Sequence, residues 1–82
     1  METTDLYTKL EDLINPVLEV RNLELVELHI SGGQRRRFVR LYVDRPTGIN
    51  VGECAEVSRE IGDAFDTFDP IAGAYILEVS SP

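Results

Sequence analysis

The hydrophobic and polar positions of the chain follow two different periods, and their order predicts the secondary structure. Apolar residues recur at spacings of three and four over the first eighteen residues, which indicates an amphipathic helix. Thr3 or Thr4 is placed to cap its start. Pro16 should kink this helix or end its regular part near Asn15, and Asn22 is predicted to stop it because asparagine tolerates the left-handed conformation. The apolar stripe consists of Leu6, Leu10, Leu13, Ile14, Val17 and Leu18.

Two strands follow, because the period changes from three or four to two. They are predicted over residues 23–30 and 38–44, and residues 31–37, with two adjacent glycines, form the hairpin connection between them. The faces predicted to be buried carry Val26, Leu28 and Ile30 in the first strand and Val39, Leu41 and Val43 in the second.

A second helix is predicted to start at Asn50, because Asn50 and Glu53 have the spacing of a capping box. Gly73 precedes a last alternating run at residues 75–79, which predicts a third strand. The apolar stripe of this helix consists of Cys54, Val57, Ile61, Ala64 and Phe65.

The order helix-strand-strand-helix-strand predicts an α+β fold. The first two strands form an antiparallel hairpin, and the second helix is a crossover that makes the third strand parallel to the second. Each helix has one apolar stripe, so both should cover the same face of a three-stranded mixed sheet. The opposite face is mixed in polarity and could serve as a docking surface. It should carry Leu25, Glu27, His29, Phe38, Arg40, Tyr42, Ile76 and Glu78.

The pattern at the carboxyl end of the chain predicts a strand followed by the start of a connecting segment. After the last strand come Ser80, Ser81 and Pro82, and proline cannot donate to a sheet ladder. We therefore expect the 82 residues to be the front domain of a longer protein. The alternative is a natural terminus with a short frayed tail.

Charge is strongly segregated along the sequence. The net charge is −7, yet residues 35–45 hold five of the eight basic side chains and a single acid, Asp44. That segment carries +4, so the remaining residues carry −11. An acidic body with one basic projection is unlike a protein that coats nucleic acid non-specifically, because such a protein is basic over a whole face.

Two groups of charged residues are candidate binding sites. The arginines can pair with phosphates without reading bases, or they can form a solvated loop. The acids lie on one stripe of the second helix. They can bind a basic protein, or they can simply form the solvent-exposed side of an amphipathic helix. The groups are Arg35, Arg36, Arg37, Arg40 and Arg45 for RNA, and Glu53, Glu56, Glu60 and Asp63 for protein.

The sequence offers little to catalysis, metal binding or nucleotide binding. Gly32 and Gly33 join two strands and lack the lysine and following helix of a phosphate-binding loop. Cys54 is the only cysteine and His29 the only histidine, so a Cys–His pair would require folding to bring them together. We expect no catalytic residue, cofactor, metal or small-molecule substrate, and no membrane span. A lone cysteine fits a reducing cytoplasm.

Two motifs resemble a known family. The stretch Gly48-Ile-Asn-Val-Gly-Glu-Cys-Ala-Glu-Val-Ser58, followed by Tyr75-Ile-Leu-Glu-Val-Ser-Ser-Pro82, resembles the amino-terminal domain of the ribosome maturation factor RimP family. The resemblance extends over residues 1–82. It includes Pro16-Val-Leu18 in the first helix and Leu41-Tyr-Val-Asp44 at the end of the second strand.

The resemblance implies a fold similar in outline to KH modules, followed in the family by an SH3-like barrel that is absent from these 82 residues. It implies a non-catalytic factor of the bacterial cytoplasm that binds the immature small ribosomal subunit during late maturation. The Gly-x-x-Gly loop of KH modules is missing here, which weakens the case for reading single-stranded RNA sequence.

The leading functional hypothesis is therefore a monomeric assembly factor whose partners are a basic ribosomal protein and ribosomal RNA of the small subunit. The alternative is a generic KH-like RNA-binding domain that acts on free RNA.

Overall fold

The structure has the predicted order of elements. The computed structural model describes residues 2–33 and 35–82, so Gln34 of the predicted hairpin connection lies outside the described residues. Among the described residues, no helix is both long and apolar enough to cross a membrane. The elements are α1 (Glu2–Val20), β1 (Glu24–Gly32), β2 (Arg36–Asp44), α2 (Val51–Phe68) and β3 (Ala74–Ser80).

The sheet has three strands in the order β1-β2-β3. β1 pairs antiparallel with β2, and β2 pairs parallel with β3, which confirms the predicted mixed sheet. Leu41 lies opposite Leu28 on one side and Val79 on the other, so β2 is the central strand. Both helices cover the face of the sheet that carries Leu41.

The hydrophobic core lies between the helices and β2. Leu10, Ile14, Leu18, Val57, Ile61 and Phe65 from the helices pack with Val39, Leu41 and Val43, each at most 1% exposed. Leu13 and Val17 are half-buried at its edge. α1 also bonds to the sheet, because the backbone N–H of Ile30 donates to the hydroxyl of Tyr7 at 3.2 Å.

A β-bulge in β1 changes the predicted faces. Leu25 pairs with Val43 and Glu27 pairs with Tyr42, so Val26 is an extra residue in β1. As a result Leu25 turns towards the helices and packs against the core, whereas Val26 is 54% exposed. The assignment of Leu25 to the open face and of Val26 to the buried face was therefore wrong, because strict alternation does not survive a bulge.

The first helix differs from the prediction at both ends. It begins at Glu2, so Thr3 and Thr4 lie within its first turn rather than before it. It also continues through Pro16 to Val20, so Pro16 removes one backbone donor without ending the helix. Asn22 has φ 58°, which confirms the predicted left-handed stop.

The second helix begins as predicted. The side chain of Asn50 accepts a hydrogen bond from the backbone N–H of Glu53 at 2.8 Å, the bond that an N-cap supplies. At the other end Asp69 is left-handed with φ 51°, and its N–H donates to the carbonyl of Phe65 at 2.7 Å.

Replacing Leu41 by alanine should lower the free energy of unfolding by about 2–5 kcal/mol, because Leu41 is fully buried at the centre of the core. Val20 is 85% exposed, so Val20→Ala should change the stability by less than about 0.5 kcal/mol. Urea denaturation of both variants measures the difference. Similar losses in the two variants would contradict this description of the core.

Candidate functional site

The hairpin between β1 and β2 forms a basic projection at one end of the molecule. Gly32 ends β1 with φ 86°, and the N–H of Gly33 donates to the carbonyl of Arg36 at 3.1 Å. A Cβ on Gly32 would overlap that carbonyl, so this turn requires glycine. Beyond it stand Arg35, Arg36 and Arg37, here called the arginine tip. None of the three has an ion pair among the described residues.

The arginine tip is divided between the two faces of the sheet. Arg36 pairs with Ala74 and Arg37 with Tyr75, so their side chains leave β2 on opposite sides. Arg36 lies on the open face with Phe38, whereas Arg37 is half-buried on the helix side. There it borders an open depression of about 530 Å³ that Lys9 also lines. A partner that contacts all three arginines must therefore wrap around the end of the sheet.

Arg40 also lies on the open face, but it has a partner. Its Nε donates to Glu78 on β3 at 2.6 Å, and the two side chains are 53% and 58% exposed. Ion pairs this exposed contribute little to stability, because solvent screens the two charges. A competing phosphate could therefore displace the Glu78 carboxylate from Arg40.

Arg45 lies at the opposite end of the sheet and is used inside the molecule. Its guanidinium donates to the carboxylate of Glu53 and, at 3.0 Å, to the carbonyl of Arg21. Its Nε is buried and has no partner among the described residues. The structure thus separates Arg45 from the arginine tip by the length of the sheet.

Arg21, in the turn after α1, forms hydrogen bonds to three of the four acids predicted on α2. It donates to Glu60 at 2.8 and 3.3 Å, to Glu56 at 3.2 Å and to Glu53 at 3.4 Å. We call these four residues and Arg45 the charge cluster. Asp63, the fourth predicted acid, is exposed and has no ion pair among the described residues.

The charge cluster shifts the acidity of its members. The hydrogen bond from Arg45 holds the pKa of Glu53 below its ordinary value. The hydrogen bond from Arg21 does the same for the pKa of Glu60. Both shifts favour the ionised carboxylates. Since Arg21 precedes β1 and Arg45 follows β2, their ion pairs connect these two turns to α2.

Sequence reasoning missed the role of Arg21. The signal available was the spacing of Glu53, Glu56 and Glu60, which puts three carboxylates on one side of a helix, where they repel one another unless a cation intervenes. Nothing local in the sequence shows which of the basic residues supplies it. That pairing is set by the antiparallel packing of α1 on α2.

The open face of the sheet has an apolar patch near the arginine tip. Phe38 and Ile76 are directly paired neighbours on β2 and β3, and each is 43% exposed. Further from the tip, His29 contacts Glu27 at 2.7 Å and packs edge-on against Tyr42, with ring centroids 6.3 Å apart. The face therefore offers apolar and aromatic surface beside unpaired positive charge.

His29 and Cys54 do not meet. His29 is on the open face of the sheet, and Cys54 is half-buried on α2, which covers the other face. Within residues 2–33 and 35–82, no three histidine, cysteine or acidic side chains are placed to hold a metal ion.

A protein-family model matches most of this chain. The family model described as the RimP N-terminal domain covers residues 13–82. The match includes all of β1, β2, α2 and β3 and the second half of α1. It therefore contains the arginine tip, Arg40, the charge cluster and Asp63.

Replacing Arg21 by glutamine should destabilise the protein near neutral pH and matter less in acid. Arg21 lowers the pKa of Glu60 in the folded state from about 4.5 and adds to the larger effect of Arg45 on the pKa of Glu53, so ionisation of these carboxylates stabilises the fold above that pH. This contribution is lost as pH falls through the lowered values. The difference in unfolding free energy between wild type and Arg21→Gln should thus be full above about pH 5.5 and shrink below pH 4.5.

Urea denaturation at a series of pH values measures that difference. Lys9→Gln is the control, because it removes the same charge from an exposed position outside the charge cluster. A difference that stays constant down to pH 3 would show that Arg21 acts through packing alone.

Proposed function

Because the chain belongs to the RimP N-terminal domain family, a family of ribosome maturation factors, we propose that it assists late maturation of the small ribosomal subunit in the cytoplasm. It would do so as a non-catalytic factor that binds the immature particle through ribosomal RNA and a basic ribosomal protein.

The observation that carries the RNA part is the distribution of unpaired positive charge. Arg21, Arg40 and Arg45 are engaged with carboxylates. The arginine tip projects from the end of the hairpin without such partners among the described residues. Guanidinium groups bind phosphate oxygens in a bidentate manner, so the tip supplies backbone contacts to RNA without sequence preference.

The protein part of the proposal rests on the exposed acids of α2. Glu53 is mostly covered by Arg21 and Arg45, with 18% of its side chain exposed, whereas Glu56 is 54% exposed. Asp63 lies two turns further along and is exposed and unpaired among the described residues. A basic ribosomal protein would approach these acids from the helix side, while RNA contacts the tip. Two partners of opposite charge could then be bound at once.

Replacing the three residues of the arginine tip by alanine should weaken binding to immature small subunits. It should also reduce the slope of log affinity against log salt by about 2 to 3, because each phosphate contact releases counterions. Co-sedimentation at several salt concentrations measures both quantities. Arg59→Ala, which removes a cation from the exposed side of α2, should leave the slope unchanged. An unchanged slope in the triple variant would mean that the tip is only a solvated loop.

Reversing the charge of Asp63 to lysine should slow association with the small subunit and leave the RNA contribution intact, because exposed charges act mainly on the association rate. Asp12→Lys makes the same change at an exposed position of α1 and is the control. Surface-based kinetics with immobilised subunits measures the rates. Equal association rates for the two variants would count against α2 as the protein-binding surface.

A further inference from the structure

The central strand presents an alternating row of cationic and aromatic side chains on the open face of the sheet. The register places Arg36, Phe38, Arg40 and Tyr42 there, between Ser31 and His29 of β1 and Ile76 and Glu78 of β3. Successive side chains of the row, such as those of Arg36 and Phe38, are two residues or about 6.6 Å apart along the strand. We call these four residues the strand row.

We propose that the strand row binds a single-stranded segment of RNA, with a base stacked on Phe38 and the adjoining phosphate on Arg36. This inference rests on the proposed function, because it assumes that RNA is a partner of the chain. It adds that the RNA is single-stranded and that the strand row is the surface that binds it. Aromatic rings on an exposed sheet are a common platform for unpaired bases.

Phe38 is accessible and lies next to the glycine that ends β1. It is 43% exposed, and its ring lies beside Gly32, where an added Cβ would come within 3.2 Å of one ring carbon. Ile76 extends the apolar surface to β3, and a shallow groove of about 250 Å³ runs from Phe38 past Ile76 to Glu78. A base laid on Phe38 would therefore cover apolar surface that is now in contact with water.

The charges of the open face favour an anionic occupant near the tip. The two cross-strand rows closest to the tip contain Arg36, Phe38 and their neighbours Ser31, Ala74 and Ile76, with no acid among them. The acids of this face lie further away: Glu78 is paired with Arg40, Glu27 contacts His29, and Glu24 and Asp44 form the row furthest from the tip. An RNA strand entering from the arginine tip would meet positive charge first and then the aromatic surface.

The aromatic contact distinguishes single strands from duplexes. Stacking on Phe38 requires an exposed base face, and the faces of paired bases are hidden inside a duplex. The row therefore suits a strand whose bases are splayed apart, as in loops and unpaired segments of an incompletely folded RNA.

The test compares two substitutions of Phe38 in the 82-residue chain. Binding of a fluorescein-labelled eight-nucleotide single-stranded RNA of mixed sequence is measured by fluorescence anisotropy at about 50 mM salt. Phe38→Leu keeps an apolar side chain but removes the ring, and should weaken binding about 5- to 150-fold. Phe38→Tyr keeps the ring and should stay within about twofold of wild type. Thermal melting establishes that both variants are folded.

A matched control is available at Phe68. This residue is 66% exposed at the end of α2, so Phe68→Leu makes the same chemical change far from the strand row and should leave RNA binding unchanged. An eight-base-pair RNA duplex, tested in parallel, should show no difference between Phe38→Leu and wild type. Absence of single-strand binding by the wild type, or equal binding by Phe38→Leu and Phe38→Tyr, would overturn the inference.

Co-sedimentation of the same variants with immature small subunits separates this inference from the proposed function. If Phe38→Leu weakens subunit binding but not RNA binding, the patch docks a protein and the inference is wrong. If the wild type does not bind subunits at all while the RNA measurements come out as expected, the proposed function fails and the strand row is still an RNA site.

Discussion

The central strand β2 is hydrogen-bonded along both edges, and the arrangement of the whole molecule depends on how its side chains alternate. One set, Val39, Leu41 and Val43, is completely covered by the two helices and forms the floor of the core. The other set, which includes Arg36 and Phe38, points away from the helices and stays accessible. A shift of register by one residue would exchange the two sets and expose the core. Folding energy and the presentation of the candidate RNA surface therefore depend on the same strand and on the same register.

The two ends of the sheet use charge in opposite ways. At one end Arg21 and Arg45 are shared among three carboxylates of α2, and this cluster fixes the turns on either side of the β1–β2 hairpin to the helix. Of the five arginines between residues 35 and 45, only Arg45 is balanced in this cluster, and Arg40 pairs with Glu78 on β3. At the other end the arginine tip keeps its charge. The segregation visible in the sequence is sharper in the folded protein, because the cations that remain unpaired are concentrated at the end of a hairpin.

The order of elements, the mixed sheet and the helix-covered face could be predicted because each follows from periodicity and connection rules that act over a few residues. The β-bulge could not, since a single extra residue at Val26 leaves the hydrophobic pattern of β1 almost unchanged while moving Leu25 to the core. For the candidate sites, the sequence identified the charged groups but not their internal pairing. Arg45 and Glu53 are eight residues apart and were assigned to different partners, yet they bind one another. Arg21 is more than thirty residues from Glu53, a separation that only tertiary packing closes.

In the proposed RNA interface, two contributions of different physical origin would meet at the arginine tip and the strand row. Phosphate contacts through Arg35 and Arg36 are long-ranged and weaken steeply with salt, because they depend on counterion release. Stacking on Phe38 acts only at contact and depends on the ring rather than on charge. The negative charge of the body, within a net charge of −7, opposes the first contribution for any long RNA and leaves the second almost untouched. A factor built in this way would bind free RNA weakly. It would bind best where an unpaired strand is already held near a basic protein, and it would lose the stacking contribution once that strand forms a duplex.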